Sequence, residues 1–213
     1  HERDWRTLCD VRFLAEDTNS PYLVGPNGYF LRDPATSKPL IWDLAEGKAK
    51  PFDQFTPGAQ AALEGSFTVA GVEEGPDGQR WEHEAAQARP SFQLLREHLA
   101  SCTPEWAAKE CDVPAASVRR VADEFVAHAR VGATIQIEGQ TLPHRPVGIM
   151  LGKGINNGWG GYQVVWARTL LACLVGGQRL EIRVVERDDR FLALLFEAVE
   201  DFRWHVAEDM PPP

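Results

Sequence analysis

Apolar residues change their spacing twice along this chain, and each change marks a different kind of element. From Pro21 to Trp42 the short runs PYLV, YFL and PLIW alternate with the turn-rich stretches GPNG and DPATSKP. That rhythm predicts short strands in a meander. SFTVAGV, Ser66 to Val72, reads as a further strand, and the polar run EEGPDGQRWEHEAAQAR after it reads as an exposed loop or insertion.

From about Pro90 the spacing becomes helical. Phe92, Leu94, Leu95, His98 and Leu99 form one amphipathic stretch. Thr103 suits an N-cap, with Pro104 at the first helical position and Glu105 near the positive end of the dipole, so a short helix should run from there and stop near Asp112. Pro114 opens another, in which Val118, Val121, Ala122, Phe125, Val126 and Ala129 share a face that is expected to be buried. ATIQIEG alternates as a strand, and VGIML in LPHRPVGIML reads as a strand buried on both faces. Tyr162 to Val175 is apolar on nearly every side and predicts a central helix. In the tail, RLEIRVVERDD could be a strand and FLALLFEAVEDF an amphipathic helix before the PPP terminus.

Alternating strands and helices predict an α/β fold for the second half, with strand, Gly-rich loop and helix in layers. An irregular, partly β portion would pack on it. The expected divisions are 1–89, a partly β portion with its charged loop, 90–177, the α/β portion, and 178–213, a divergent tail.

At 213 residues the chain is long enough for a sizeable core. Its 31 acidic and 22 basic residues give a net charge of −9, which argues against a nucleic-acid partner. A helix-turn-helix rhythm in EWAAKECDVPAASVRRVADEF is opposed by the same electrostatics, since acidic side chains outnumber basic ones there. The four cysteines, Cys9, Cys102, Cys111 and Cys173, form no C-x-x-C pair or zinc spacing, and are expected as reduced packed or surface thiols. No apolar stretch has transmembrane length and the chain opens without a targeting segment, from which a cytoplasmic location is expected. The start lacks a methionine, as a processed product or a piece of something longer would.

The candidate chemistry lies in GKGINNGWGG, Gly152 to Gly161, between VGIML and the apolar helix. Glycines allow close backbone approach, and backbone N–H groups leading into a helix N-terminus favour an anion. Lys153 could add charge, and Asn156 and Asn157 amide hydrogen bonds. The loop is not a Walker A sequence, having no Ser or Thr after Lys153, and Asn157 breaks the G-x-G-x-x-G pattern. A structural tight turn and a ligand loop are both open on the residues alone.

TPEWA, VPA with its arginine-bearing helix, then RPVGIMLGKGINNGWGGYQVVWARTLLACLVGG resemble, in order and spacing, the catalytic subunit of molybdopterin oxidoreductases of the dimethyl sulfoxide reductase superfamily. TNSPYLVGPNG and KPLIWD fit the same text, so the resemblance runs from about Trp5 to Gly177. It implies part of an oxidoreductase that binds molybdopterin guanine dinucleotide, with molybdenum, and moves electrons to or from a small substrate. By position it implies that Gly152, Lys153, Gly154, Asn156 and Asn157 lie near the cofactor, with Gly160 and Gly161 turning the backbone into the helix. The implied partners are the remainder of the catalytic chain and an iron–sulfur electron-transfer subunit. Two elements of that family are missing: cysteines for its 4Fe–4S cluster and the molybdenum ligand, so no catalytic or metal residue is expected here. A non-catalytic binding protein that keeps the fold is the alternative.

Other residues read as structural. His144 suits a turn or hydrogen-bonding role, Cys102 and Cys111 packed thiols, and Trp159, Tyr162 and Trp166 core packing. Asn19 suits an Asx-turn, while Arg168 could pair with a phosphate or form an ion pair.

Overall fold

The computed structural model describes residues 3–54, 60–76, 78–149, 158 and 160–177. The N-terminal half is antiparallel β. Strands β1 (Leu23–Val24), β2 (Leu31–Arg32), β3 (Leu40–Asp43), β4 (Lys48–Pro51), β5 (Phe67–Glu74) and β6 (Arg80–Pro90) form a four-stranded sheet in the order β1-β6-β5-β2, with β3 and β4 as a separate hairpin. A single bridge between Val24 and Phe30 links the two ends of the four-stranded sheet, which therefore curls on itself. Bridges from Tyr22 to Ile41 and from Arg32 to Pro39 join the hairpin to its edges.

The meander appears where alternation predicts it, but β6 corrects the reading of 73–89 as an exposed loop. Phe67 to Glu74 pairs with Arg80 to Ala88 through a hairpin, with a bulge between Val69 and Gly71. Ala86 and Ala88 are the inward residues of β6, against polar Glu84 and Gln87 outside. Alanine carries little apolar signal, so the charge of neighbouring residues hides the alternation. Inside the curl Leu23, Leu31, Leu40, Val69, Ala86 and Ala88 make one cluster, covered by Trp42 stacked on Phe67 at 4.4 Å between centroids.

One polar pair is built into this half. Asp43, with no solvent exposure, is bonded to Lys50 across the β3–β4 hairpin and accepts from the N–H of Ala45 at 2.9 Å. The Lys50 hydrogen bond holds the Asp43 carboxyl below its ordinary pKa against the opposing effect of burial, and the turn amides assist. The contribution of that carboxylate to stability is therefore present above the ordinary carboxylate range and is lost as pH falls through the lowered folded value.

Helix α1 (Val11–Glu16) is not predicted from the sequence, whereas α2 (Ser91–His98), α3 (Pro104–Cys111), α4 (Ala115–Ala129) and α5 (Gly161–Leu174) begin where expected. Thr103 Oγ1 accepts from the Trp106 N–H at 3.1 Å, Pro104 opens α3, and Asp112 ends it in the left-handed conformation at φ 53°. Six residues are too few for an independent helix. α1 is held by its cap, Asp10 accepting from the Phe13 N–H at 3.1 Å, and by burial of Phe13 and Leu14. Leu14, Leu63 and Phe92 form a second core, to which Trp5 and Leu174 contribute. Burying each such side chain is worth about 1.5–3 kcal/mol.

The chain is thus mixed α/β, with a curled antiparallel sheet at its centre. The second half departs from expectation in its packing. β7 (Thr134–Ile137) and β8 (Gln140–Pro143) form a two-stranded hairpin, and every residue of β7 is exposed. Within VGIML, Val147 to Ile149 pair with no strand among the described residues, and Met150 and Leu151 lie outside them. The α4 face is incompletely covered, since Val121 is 55% exposed. The α5 helix is not central: Tyr162, Val164 and Leu171 are exposed, and Gly161 is its one buried residue. Periodicity shows which residues need burial, whereas the partner surface that would bury them is a separate matter.

Candidate functional site

Gly152, Lys153, Gly154, Asn156 and Asn157 lie outside the described residues, as does Trp159. The two flanks of the Gly-rich stretch are described. On the far side, Gly160 is in the left-handed conformation at φ 73°, immediately before α5, and Gly161 begins the helix, its N–H bonded to the Gly158 carbonyl at 3.0 Å. On the near side, the Ile149 carbonyl accepts from Arg168 Nε at 2.8 Å. Arg168 therefore ties α5 to the segment entering the loop. The bond is to a backbone carbonyl, rather than the ion pair considered from sequence.

Beneath these flanks lies a buried arginine whose role the sequence does not reveal. Arg145, with 4% of its side chain exposed, pairs with Asp10 at 2.5 Å. Its Nε donates to the Val175 carbonyl at 2.9 Å, and its Nη1 to the carbonyls of Arg130 and Ala133, each at 3.1 Å. One guanidinium thus joins the cap of α1, the end of α5, the left-handed end of α4 and the start of the β7–β8 hairpin. Five donors in a fixed plane suit this role, which a lysine could not reproduce. Gly176 completes the junction. At φ 71° it passes so close to Asp10 that an added Cβ would collide with Oδ2, and the Asp10 N–H bonds the Leu174 carbonyl at 2.7 Å. His144 takes the hydrogen-bonding place expected of it through its backbone, donating to the Ala133 carbonyl at 2.8 Å.

A second charged cluster gathers around Glu64. Glu64 accepts from Trp5 Nε1 at 2.7 Å and pairs with Arg6 and Arg96, both of which lie over the Trp5 ring. Burial pushes the Glu64 carboxyl up, but the indole hydrogen bond and the two guanidinium groups outweigh it and hold the pKa below the ordinary range. An open cleft of about 690 Å³ runs alongside, bordered by Trp5, Arg6, Arg12, Glu16 and Leu44. Arg6 and Arg12 both spend their charge on carboxylates, on Glu64 and Glu16, which makes the cleft a poor anion trap.

The cysteines do not converge. Cys102 and Cys111 are exposed, correcting their reading as packed thiols, and Cys9 and Cys173 are half-buried. Burial raises the Cys9 thiol to about 11, with Arg96 opposing and Asp10 adding to the shift. At pH 8 its thiolate fraction should therefore be lower than that of an ordinary thiol by about a hundredfold. In timed maleimide labelling followed by peptide mass spectrometry, Cys102 and Cys111 are expected to react first and Cys9 to persist. Equal rates for all three would contradict this environment. Among the described residues no group of three or more His, Cys, Asp or Glu side chains could hold a metal ion.

No family model matches the chain. It is similar to a sulfite dehydrogenase subunit of Allochromatium vinosum, with 30% identity over 194 residues that cover 79% of this chain and 18% of that protein. The chain thus spans about a fifth of the length of the curated relative it matches.

These findings correct the family resemblance. The relative is named as a subunit of a sulfite dehydrogenase, and no model of a molybdopterin oxidoreductase family matches. The comparisons do not support membership of the dimethyl sulfoxide reductase superfamily, nor molybdopterin guanine dinucleotide, molybdenum or a 4Fe–4S cluster. The described donors do not fit an iron–sulfur cluster, since the cysteines stand apart. The motifs behind the resemblance have local explanations: TPEWA is a helix start capped by Thr103, and Gly160 and Gly161 are a turn into α5.

Proposed function

We propose that this chain is a portion of an electron-transferring oxidoreductase whose substrate is sulfite, working with further polypeptide and a partner subunit that takes up the electrons. The observation that carries this reading is the 30% identity to the sulfite dehydrogenase subunit over 79% of the chain. Conversion of sulfite to sulfate takes an oxygen atom from water and releases two electrons and two protons, so an electron acceptor must be supplied by the assembly.

In this reading residues 1–89 form a partly β scaffold, 90–177 an α/β portion of strand, loop and helix, and 178–213 a separate tail. Gly152, Gly154, Gly160 and Gly161 let the backbone approach an anionic group. Lys153, Asn156 and Asn157 supply charge and amide donors to it. What supports this role is that Arg168, on α5, donates to the Ile149 carbonyl where the chain enters the loop. A loop on a rigid frame positions donors better than one between free ends.

The test is sulfite-dependent reduction of ferricyanide by the native protein isolated with its partners. Activity saturating in sulfite is expected, and the double substitution Gly152→Val, Gly154→Val should lower it at least tenfold with the melting temperature unchanged. An intact assembly that reduces no acceptor at any sulfite concentration would overturn the substrate. Full activity in the double variant would overturn the role of the loop.

A further inference from the structure

The β7–β8 hairpin is open along its edges and on one face. Its register sets Ile135 opposite Leu142 and Ile137 opposite Gln140, around a two-residue turn of Glu138 and Gly139 at φ 50° and 80°. Ile135, Ile137 and Leu142 therefore share a face, on which Ile135 is 39% and Ile137 48% exposed. The His144 N–H bonds the Ala133 carbonyl, so the hydrogen-bonded pairs start at Ala133, Ile135 and Ile137, and the residues between them turn their backbone groups outward. On the outer edge of β7 these are Thr134 and Gln136. On that of β8 they are the Thr141 N–H and carbonyl and the carbonyl of Pro143, which has no N–H to leave unpaired. No third strand pairs with either edge among the described residues. A two-stranded hairpin is marginal alone, and a third strand along an open edge stabilises it.

We infer that the outer edge of β8 takes a third strand from the tail of this same chain. Residues 180–184 run antiparallel to β8, with Leu180, Ile182 and Val184 on the face of Ile135, Ile137 and Leu142. The point of departure selects this occupant. Arg145, which follows β8 closely, donates to the carbonyls of Arg130 and Ala133 at the base of the hairpin and to the Val175 carbonyl at 2.9 Å. Gly177 is thus only two residues beyond a group bound at that base. Residues 178–213 lie outside the described ones, and their first apolar run, RLEIRVVERDD from Arg179 to Asp189, alternates with the period of a strand. Three residues from Gly177 to Leu180 span up to about 10 Å, enough to reach the edge, and a strand leaving the base toward the turn is antiparallel to β8. Val147 to Ile149 is drawn elsewhere, since the Ile149 carbonyl accepts from Arg168 on α5. A second copy must meet the edge from solution, whereas a tethered strand has the higher effective concentration.

Hydrogen–deuterium exchange of the full chain, followed by NMR at two protein concentrations, tests this. Relative to intrinsic rates, the Thr141 amide should be protected at least tenfold more than that of Gln136, whose edge stays open, and equally at both concentrations. In this pairing the Arg183 N–H faces β8. Arg183→Pro should therefore bring Thr141 down to the level of Gln136, while Val72, paired on both sides within its sheet, keeps its protection. Ile182→Asp leaves every amide in place but sets a charge on the apolar face, and should lower the protection of Thr141 as well. Thr141 exchanging as fast as Gln136 in the unaltered chain would overturn the tail strand, as would protection that both variants leave intact. Protection that grows with concentration would show that a second copy covers the edge instead.

Discussion

Arg145→Met should destabilise the folded chain by about 3–5 kcal/mol, the usual cost of removing one partner from a buried ion pair. Methionine keeps most of the apolar stem but removes every donor. Asp10, also almost wholly buried, is left charged without its partner, and the carbonyls of Val175, Arg130 and Ala133 each lose a hydrogen bond. Against a domain stability of about 5–15 kcal/mol this is a large fraction. Urea unfolding monitored by tryptophan fluorescence measures it. Asp10→Asn keeps the cap on Phe13 and should cost less, and the double variant should cost well below the sum of the two. Gly176→Ala approaches the same junction from the other side. Its methyl group meets the Asp10 carboxylate and its φ is strained, so it too should destabilise. A loss under about 1 kcal/mol for Arg145→Met would show that water replaces the guanidinium, and that the junction is not what holds α1, α4 and α5 together.

Glu73→Ala should have an effect of similar order, about 2–5 kcal/mol, because it strands several donors in a dry site. Glu73 on β5 has no exposure at all. Its carboxylate accepts from the backbone N–H of Asn27 at 3.2 Å and of Tyr29 at 3.0 Å, and from Asn27 Nδ2 at 2.9 Å, while His83 Nε2 lies at 2.8 Å. The turn that leads from β1 to β2 is therefore wrapped around one side chain. Gly25 is part of the arrangement, since a Cβ there would collide with the Glu73 carboxyl group. Glu73→Gln, which keeps the shape but turns one acceptor into a donor facing donors, should lose about half as much. His83→Ala should lose less than either, its ring being partly solvated. The same urea titrations compare the four proteins, and Glu73→Ala equal to wild type would mean that the turn amides find other acceptors.

Both sites show where a sequence is legible and where it is not. Thr103, Pro104, Asp112 and Pro114 mark the limits of α3 and the start of α4, because caps and proline act within a few residues of themselves. Gly160 likewise marks the turn into α5. The apolar runs of the meander give away β1, β2, β3 and β5, whereas β4, KAKP, has no such run and β6 is hidden because its inward residues are alanines among charges. Asp10 and Arg145 are separated by 135 positions, and nothing near either one signals the other. Glu73 reads as one more surface carboxylate in an acidic run, until β5 and the turn at Asn27 are brought together.

The glycines of the loop leave a tight turn and a ligand loop both open, and the family resemblance supplies a ligand of specific identity. The first step rests on backbone chemistry alone. The second rests on short motifs whose residues serve helix starts here, and the relationship to a sulfite dehydrogenase subunit replaces it.

By itself the sequence determined the type and limits of most elements, the acidic surface, and the apolar demand of α5, because these depend on neighbours along the chain. Only the tertiary structure decided which charges are buried and paired, how the sheet curls on itself, and that Tyr162, Val164 and Leu171 of α5 are exposed. Those properties depend on groups far apart in sequence meeting in a medium that excludes water, where an unpaired charge or an uncovered apolar stripe carries a free-energy cost that no local pattern records.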